Sequence, residues 1–153
     1  MRFISITKAS LLLALFCQQA HAYCFAEAGQ AYGVDPYLLQ AIAKVESSWR
    51  PDAINTNSKS SDIGMMQINS SWLRKAPFTT LGYKKEHLYD PCTNVMVGAW
   101  VLANNFKSFG YNWDAVGAYN ASCTTLKNKD CMRVRNIYAW KVYKAYLAIT
   151  KAS

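Results

Sequence analysis

Cysteine placement constrains this chain more than any other feature. Five cysteines are present, and Cys17 sits inside an N-terminal stretch that reads as an export leader. Arg2 and Lys8 give it a basic start, Ser10 to Cys17 runs Ser-Leu-Leu-Leu-Ala-Leu-Phe-Cys, and Ala20-His21-Ala22 supplies the small-residue pattern that predicts cleavage before Tyr23. The apolar run is well short of the roughly 20 residues that span a bilayer. An uncleaved anchor is the competing reading, and bulky Phe16 before Cys17 argues against a lipidated cysteine. Residues 23–153 then keep Cys24, Cys92, Cys123 and Cys131. An even set in an exported chain predicts two disulfides. Of the three pairings that four cysteines allow, Cys24–Cys92 with Cys123–Cys131 is favoured, because the second pair closes a short polar loop. Zinc is the rival use. However, the chain has no CxxC pair, and His87, the one histidine outside the leader, lacks ligand-like spacing to the cysteines. No metal and no organic cofactor is expected.

With 153 residues, 52% of them apolar, the chain suits one domain with one core rather than a disordered segment. No internal repeat or low-complexity linker divides it. Losing Arg2 and Lys8 with the leader takes 17 basic residues to 15 against nine acidic, a formal charge of +6. The charges are scattered rather than clustered. Nucleic acid is therefore a poor fit, and an acidic polymer a better one. Aromatics reach 14%. They can fill a core or line a cleft that stacks on sugar rings.

The pattern is mainly helical. One helix is expected from Cys24 to Tyr32, stopped by Gly33. A second starts with Asp35 as N-cap and Pro36 at the first helical position. It carries Leu38, Leu39, Ile42, Val45 and Trp49 at helical spacing and is closed by Pro51. Residues 51–64, rich in Asn, Ser, Thr and Asp, read as a loop or small irregular hairpin. Gly64–Asn69 is a brief apolar segment, a short helix begins near Ser70, and residues 76–93 look irregular. Asn94–Ser108 is a strong helix with Gly110 as its stop. Asn112–Tyr119 is a short helix, residues 120–130 a polar loop, and Arg133–Thr150 a long closing helix.

Glu46 is the first candidate for chemistry. The chain has three glutamates, Glu27, Glu46 and Glu86. On a helical wheel Glu46 falls between Ile42 and Leu39, inside the apolar stripe, with Lys44 on the far side. A carboxyl on a buried face is costly to ionise, so its pKa rises and it can deliver a proton near neutral pH. A glycosidic general acid must do this. The structural alternative is a helix-end glutamate that turns to solvent or pairs with Arg50.

Context decides between them. Glu46-Ser47-Ser48-Trp49-Arg50-Pro51 is followed by Gly64-Met65-Met66-Gln67-Ile68, and later by Ala118-Tyr119-Asn120-Ala121. Together these resemble the goose-type lysozyme and lytic transglycosylase superfamily, over about residues 24–143. The chain is similar in particular to the small specialised transglycosylases attached to type III secretion, conjugation and type IV pilus systems. The resemblance implies a lysozyme-like α+β fold, in which a small irregular β or loop element flanks a glycan-binding cleft. It implies a periplasmic monomer acting on peptidoglycan glycan strands, with no membrane-embedded segment after leader removal. It also implies roles by position. Glu46 would be acid and then base. Gly64 would let backbone approach the sugar, Met65 and Met66 would shape the cleft floor, and Gln67 would bond substrate or brace the site. Tyr119 and Asn120 would contact the N-acetyl group and glycan, and Tyr138 would hydrogen-bond the catalytic glutamate.

Asp62 departs from the transglycosylase pattern, which has no second catalytic carboxylate. Its segment, Ser60 to Ser70, also resembles the animal C-type lysozyme segment that bears one. Two carboxylates about 5–5.5 Å apart would suit a retaining hydrolase. Asp62 could instead position the acetamido group, or merely cap a turn. Three readings therefore stand: a lytic transglycosylase opening the wall for an envelope-spanning machine, a hydrolytic muramidase using Glu46 and Asp62, and a wall-binding assembly factor without turnover.

Overall fold

The structure is a computed structural model that describes residues 23–123 and 128–152. The leader expected over residues 1–22, and residues 124–127 of the expected polar loop, lie outside the described residues. Five helices carry the fold: α1 (Phe25–Tyr32), α2 (Pro36–Ser47), α3 (Pro91–Phe109), α4 (Trp113–Asn120) and α5 (Asn128–Ala152). A three-stranded antiparallel sheet, β1 (Ile54–Thr56), β2 (Ser61–Ile63) and β3 (Ile68–Asn69), is inserted between α2 and α3. The class is mainly helical with a small sheet, as the periodicity implies. Among the described residues no helix is long and apolar enough to cross a membrane.

The helix starts follow local chemistry. Asp35 accepts the Tyr37 amide at 2.8 Å, with Pro36 next to it. The same Asp-Pro device recurs at Asp90-Pro91, where Asp90 accepts the Thr93 amide at 2.7 Å. Helix α3 therefore begins at Pro91 rather than Asn94, since this proline opens a helix instead of interrupting a loop. The stretch expected to be irregular also holds a 3-10 turn at Lys85–Tyr89. Helix α2 stops at Ser47, short of the expected run to Pro51. Ser48 and Trp49 both take left-handed backbone, and the Trp49 indole turns back to donate to the Gln40 carbonyl at 2.9 Å. Helix α5 starts at Asn128, five residues before the expected Arg133.

Leu39, Ile42, Val95, Leu102 and Val142 meet in one core, where each is fully buried. Two disulfides fasten its margins. Cys24–Cys92 joins the start of α1 to the first turn of α3, and Cys123–Cys131 joins the exit of α4 to the first turns of α5. Between α4 and α5, Gly117 allows close approach: a Cβ there would lie 2.7 Å from the Arg135 carbonyl oxygen. Arg135 bonds Ala121 O and Asp114 at 3.0 Å each, locking this contact one turn before Tyr138.

Asn94 holds the sheet-side loop onto the helices. It is fully buried, donates to Ile63 O and Leu88 O at 2.8 Å each, and accepts the Met66 amide at 2.7 Å. Asn94→Ala strands all three backbone groups. We expect it to lower stability by about 3 kcal/mol or more, at about 1–3 kcal/mol per orphaned group, as read by urea denaturation.

Candidate active site

Strand register builds one wall of a cleft. Asn55 pairs with Asp62, and Asp62 with Asn69, so three polar side chains stand in one row on one face. All three line a cleft of about 680 Å³. The residues beside them in β2 and β3, Ile63 and Ile68, are paired with each other and buried. A slip of one residue would exchange the two faces. Asn69 also holds Asp62 in place, donating from Nδ2 to Asp62 Oδ1 at 2.7 Å and to Ser60 Oγ at 2.9 Å.

Glu46 lines the same cleft from the last turn of α2. The next residue, Ser47, is buried and donates its hydroxyl to the Met65 carbonyl at 2.8 Å. The helix end is thus tied to the Gly64–Asn69 segment. Tyr138 of α5 donates to Glu46 Oε1 at 2.5 Å, across 92 residues of sequence. Burial pushes the Glu46 carboxyl from 4.5 up to about 7. The Tyr138 hydrogen bond pulls it down, and the Asp62 carboxylate pushes it further up. Tyr138 and Tyr119 are both raised well above the ordinary phenol value, first by burial and then by Glu46. Both therefore stay neutral donors. The arrangement can hold a proton in a partly dry cleft at neutral pH and still accommodate the carboxylate left when the proton departs.

Gln67, Tyr119 and Asn120 also line the cleft. Gln67 stands in left-handed backbone at φ 48°, which disfavours a residue with a Cβ. Its amide nitrogen donates to Gly64 O at 2.8 Å and Ala53 O at 3.3 Å. Only an NH2 group can make both bonds, so Oε1 is the atom left without a donor among the described residues. Tyr119 gives its hydroxyl to Met66 O at 3.0 Å.

Three expected site residues lie elsewhere. Met65 and Met66 are fully buried in the core and do not line the cleft wall; their carbonyls receive Ser47 and Tyr119 from beneath. Apolar, flexible thioethers fill the gap between sheet and helices. Gly64 is also absent from the cleft lining. Its φ is 75°, and a Cβ would overlap the Asn94 amide and lie 2.8 Å from Leu88 O. The glycine thus serves the approach to Asn94. Sequence reasoning missed Asn55, Asn69, Trp72 and Lys75 in the lining, and Asn94 behind it. Asn55 and Asn69 each directly follow an isoleucine, which was the local signal for the first two. Trp72 is an aromatic platform, packed edge-on against Trp100 at 5.6 Å and capped by Lys75 Nζ at 4.7 Å. Nothing local marks it as different from a core tryptophan. Among the described residues no three His, Cys, Asp or Glu side chains gather as metal ligands would.

Residues 23–147 match the transglycosylase SLT domain. The chain is 41% identical over 128 residues to invasion protein IagB of Salmonella typhimurium, covering 83% of this chain and 77% of that one. It is 41% identical over 127 residues to the X polypeptide of Escherichia coli, covering 82% and 73%. It is 35% identical over 145 residues to protein IpgF of Shigella flexneri, covering 94% and 91%. Its fold is similar to an inactive Glu-to-Gln mutant of lytic transglycosylase Slt from Pseudomonas aeruginosa, with a TM-score of 0.67 at 18% identity, over 94% of this chain and 27% of that one. The chain belongs to the SLT-domain transglycosylases and is a peptidoglycan lytic transglycosylase.

Proposed function

We propose that this chain, exported to the periplasm, cuts the β-1,4 bond between N-acetylmuramic acid and N-acetylglucosamine with Glu46 as its only proton carrier. The observation that carries this reading is the Glu46 carboxyl, partly buried in the cleft, bonded by Tyr138 and protonated up to about pH 7. Protonated Glu46 gives its proton to the glycosidic oxygen as the C–O bond breaks. The muramic N-acetyl oxygen supports the cationic carbon. The resulting Glu46 carboxylate then takes the proton of the 6-hydroxyl, whose oxygen closes a 1,6-anhydro ring. No water is consumed, and the enzyme ends in its starting protonation state. Asp62, held by Asn69, orients the acetamide and balances the developing positive charge. Gln67 Oε1, Tyr119 and Asn120 receive the glycan along the same cleft.

Hydrolysis is the second reading. The presence of Asp62 in the cleft beside Glu46, close enough to raise its pKa, favours it. There Asp62 would act on the sugar carbon and water would complete the reaction. For the biological setting, we propose local wall opening for a secretion, conjugation or pilus apparatus. The word invasion in the Salmonella relative's name and the two disulfides of this chain support that setting and export.

Mass spectrometry of digested sacculi tests the chemistry. Anhydro-muramoyl ends are expected, and reducing ends would transfer the assignment to the hydrolase reading. Glu46→Gln should lower turnover about 10²- to 10⁴-fold; an active variant would remove Glu46 from the mechanism. Asp62→Asn should cost less, because an amide can still orient the acetamide.

Since Glu46 must start protonated, activity should fall about tenfold per pH unit above about 7. Tyr138→Phe removes the bond that stabilises the carboxylate. The alkaline limb should therefore move to higher pH while the maximum rate drops. A purely structural tyrosine would lower the rate without moving the limb.

The same shift links to folding. The folded carboxyl keeps its proton up to about pH 7, while the unfolded one loses it near 4.5. Stability is thus fully present below about pH 4.5 and is lost as pH rises through 7, by about 3 kcal/mol. Glu46→Gln should be close to wild type in thermal stability at pH 4 and more stable at pH 8. Equal melting temperatures at both values would contradict a desolvated Glu46.

A further inference from the structure

We propose a second glycan-binding site on the outer face of α5 and the start of α4, occupied by the same peptidoglycan polymer but separate from the cleft. This rests on peptidoglycan being the substrate. Trp113, Trp140 and Tyr143 line a recess of about 440 Å³ together with Asn136 and Ala139. Trp140 is 59% exposed and Trp113 41%. Tyr143 stands edge-on to Trp113 at 5.2 Å and stacks on Trp140 at 5.5 Å, so the rings prop one another instead of folding onto the core. An exposed aromatic group of this kind marks a surface that something covers.

The chemistry of the face selects a glycan. Pyranose rings offer apolar C–H faces and hydroxyl edges, and aromatic rings with a few polar groups match both. The Asn136 amide has no hydrogen-bond partner among the described residues, so it can serve a hydroxyl or acetamido group as donor and acceptor. Lys129, Arg133, Lys141 and Lys144 are exposed on this helix, whose single acid, Asp130, already faces Arg133 at 3.8 Å. Cations of this kind complement the stem-peptide carboxylates of the polymer. Trp140 follows Tyr138 by two residues, which is about 200° around the helix. Tyr138 reaches Glu46 while Trp140 faces away from it, so cleft and recess can be filled together.

Co-sedimentation with purified sacculi tests the site, in a Glu46→Gln background that leaves the sacculi intact. Trp140→Ala should weaken binding about tenfold, the size of one lost aromatic anchor. Lys144→Glu should weaken it most at low salt. Leu81→Ala, which removes an exposed apolar group elsewhere, should change nothing. With Glu46 intact, Trp140→Ala should lower kcat/KM on sacculi but not on short soluble glycan fragments. Unchanged sedimentation would overturn the proposal. So would an equal loss on soluble fragments, or Trp140-dependent binding to phosphatidylglycerol vesicles in place of sacculi. A wild type that binds sacculi through Trp140 yet cleaves neither substrate would sink the catalytic reading and leave this site standing.

Discussion

The Glu46 carboxyl is pulled in opposite directions by its surroundings, and the rest of the fold serves that balance. Burial favours the protonated form and, unopposed, would hold the proton more tightly. The Tyr138 hydroxyl offsets part of that cost by donating to Oε1. Burial keeps this phenol neutral, so it adds a donor without adding a charge. The pKa near 7 that results suits a group that must give a proton and then take one back. Setting that value requires α2 and α5 to hold a fixed separation. The Gly117 approach and the Arg135 bonds to Ala121 and Asp114 fix α5 against α4, and Tyr146, donating to Asp35 Oδ2 at 2.7 Å, ties α5 to the start of α2.

Much of this was legible in the sequence, for identifiable reasons. The Asp35-Pro36 start and the three-four spacing of Leu38, Leu39 and Ile42 define α2 without any tertiary information. The same wheel puts Glu46 in the apolar stripe. The motif Gly64–Ile68 was legible as important but not as to why. Its glycine and methionines serve packing against Asn94 and α3, while its glutamine faces the cleft. A string of letters does not separate those roles, because both ask for small and apolar residues next to a polar one. The end of α2 was misread because Trp49 continues the apolar spacing. The Trp49 indole instead bonds back to the Gln40 carbonyl of the same helix, and the chain turns away. Asn94 was invisible as a hub, since its three partners come from two other segments, residues 63–66 and Leu88.

The polar row Asn55, Asp62 and Asn69 gives the cleft a wall rich in hydrogen-bonding groups opposite the helices that carry Glu46 and Tyr119. A polysaccharide needs such a wall along its length, whereas a single reacting bond needs only one acid. Asp62 belongs to both. It is bound into the row by Asn69, and its charge reaches Glu46. A carboxylate so tethered can stabilise positive charge on a sugar without moving. That tether fits the electrostatic role proposed for Asp62.

Helix α5 divides the molecule's tasks. Its inner face supplies Tyr138 to the acid and Val142 to the core, and its outer face carries Trp140 with Lys141 and Lys144. An enzyme acting on an insoluble network faces a difficulty of supply, because substrate cannot diffuse to it. Holding the polymer on a face away from the cleft raises the local concentration of cleavable strands without occupying the cleft. The gain depends on the two sites being fixed relative to one another, and one continuous helix of 25 residues provides that rigidity. The same continuity means that a change on the outer face need not disturb Tyr138, which lies on the other side of the helix axis.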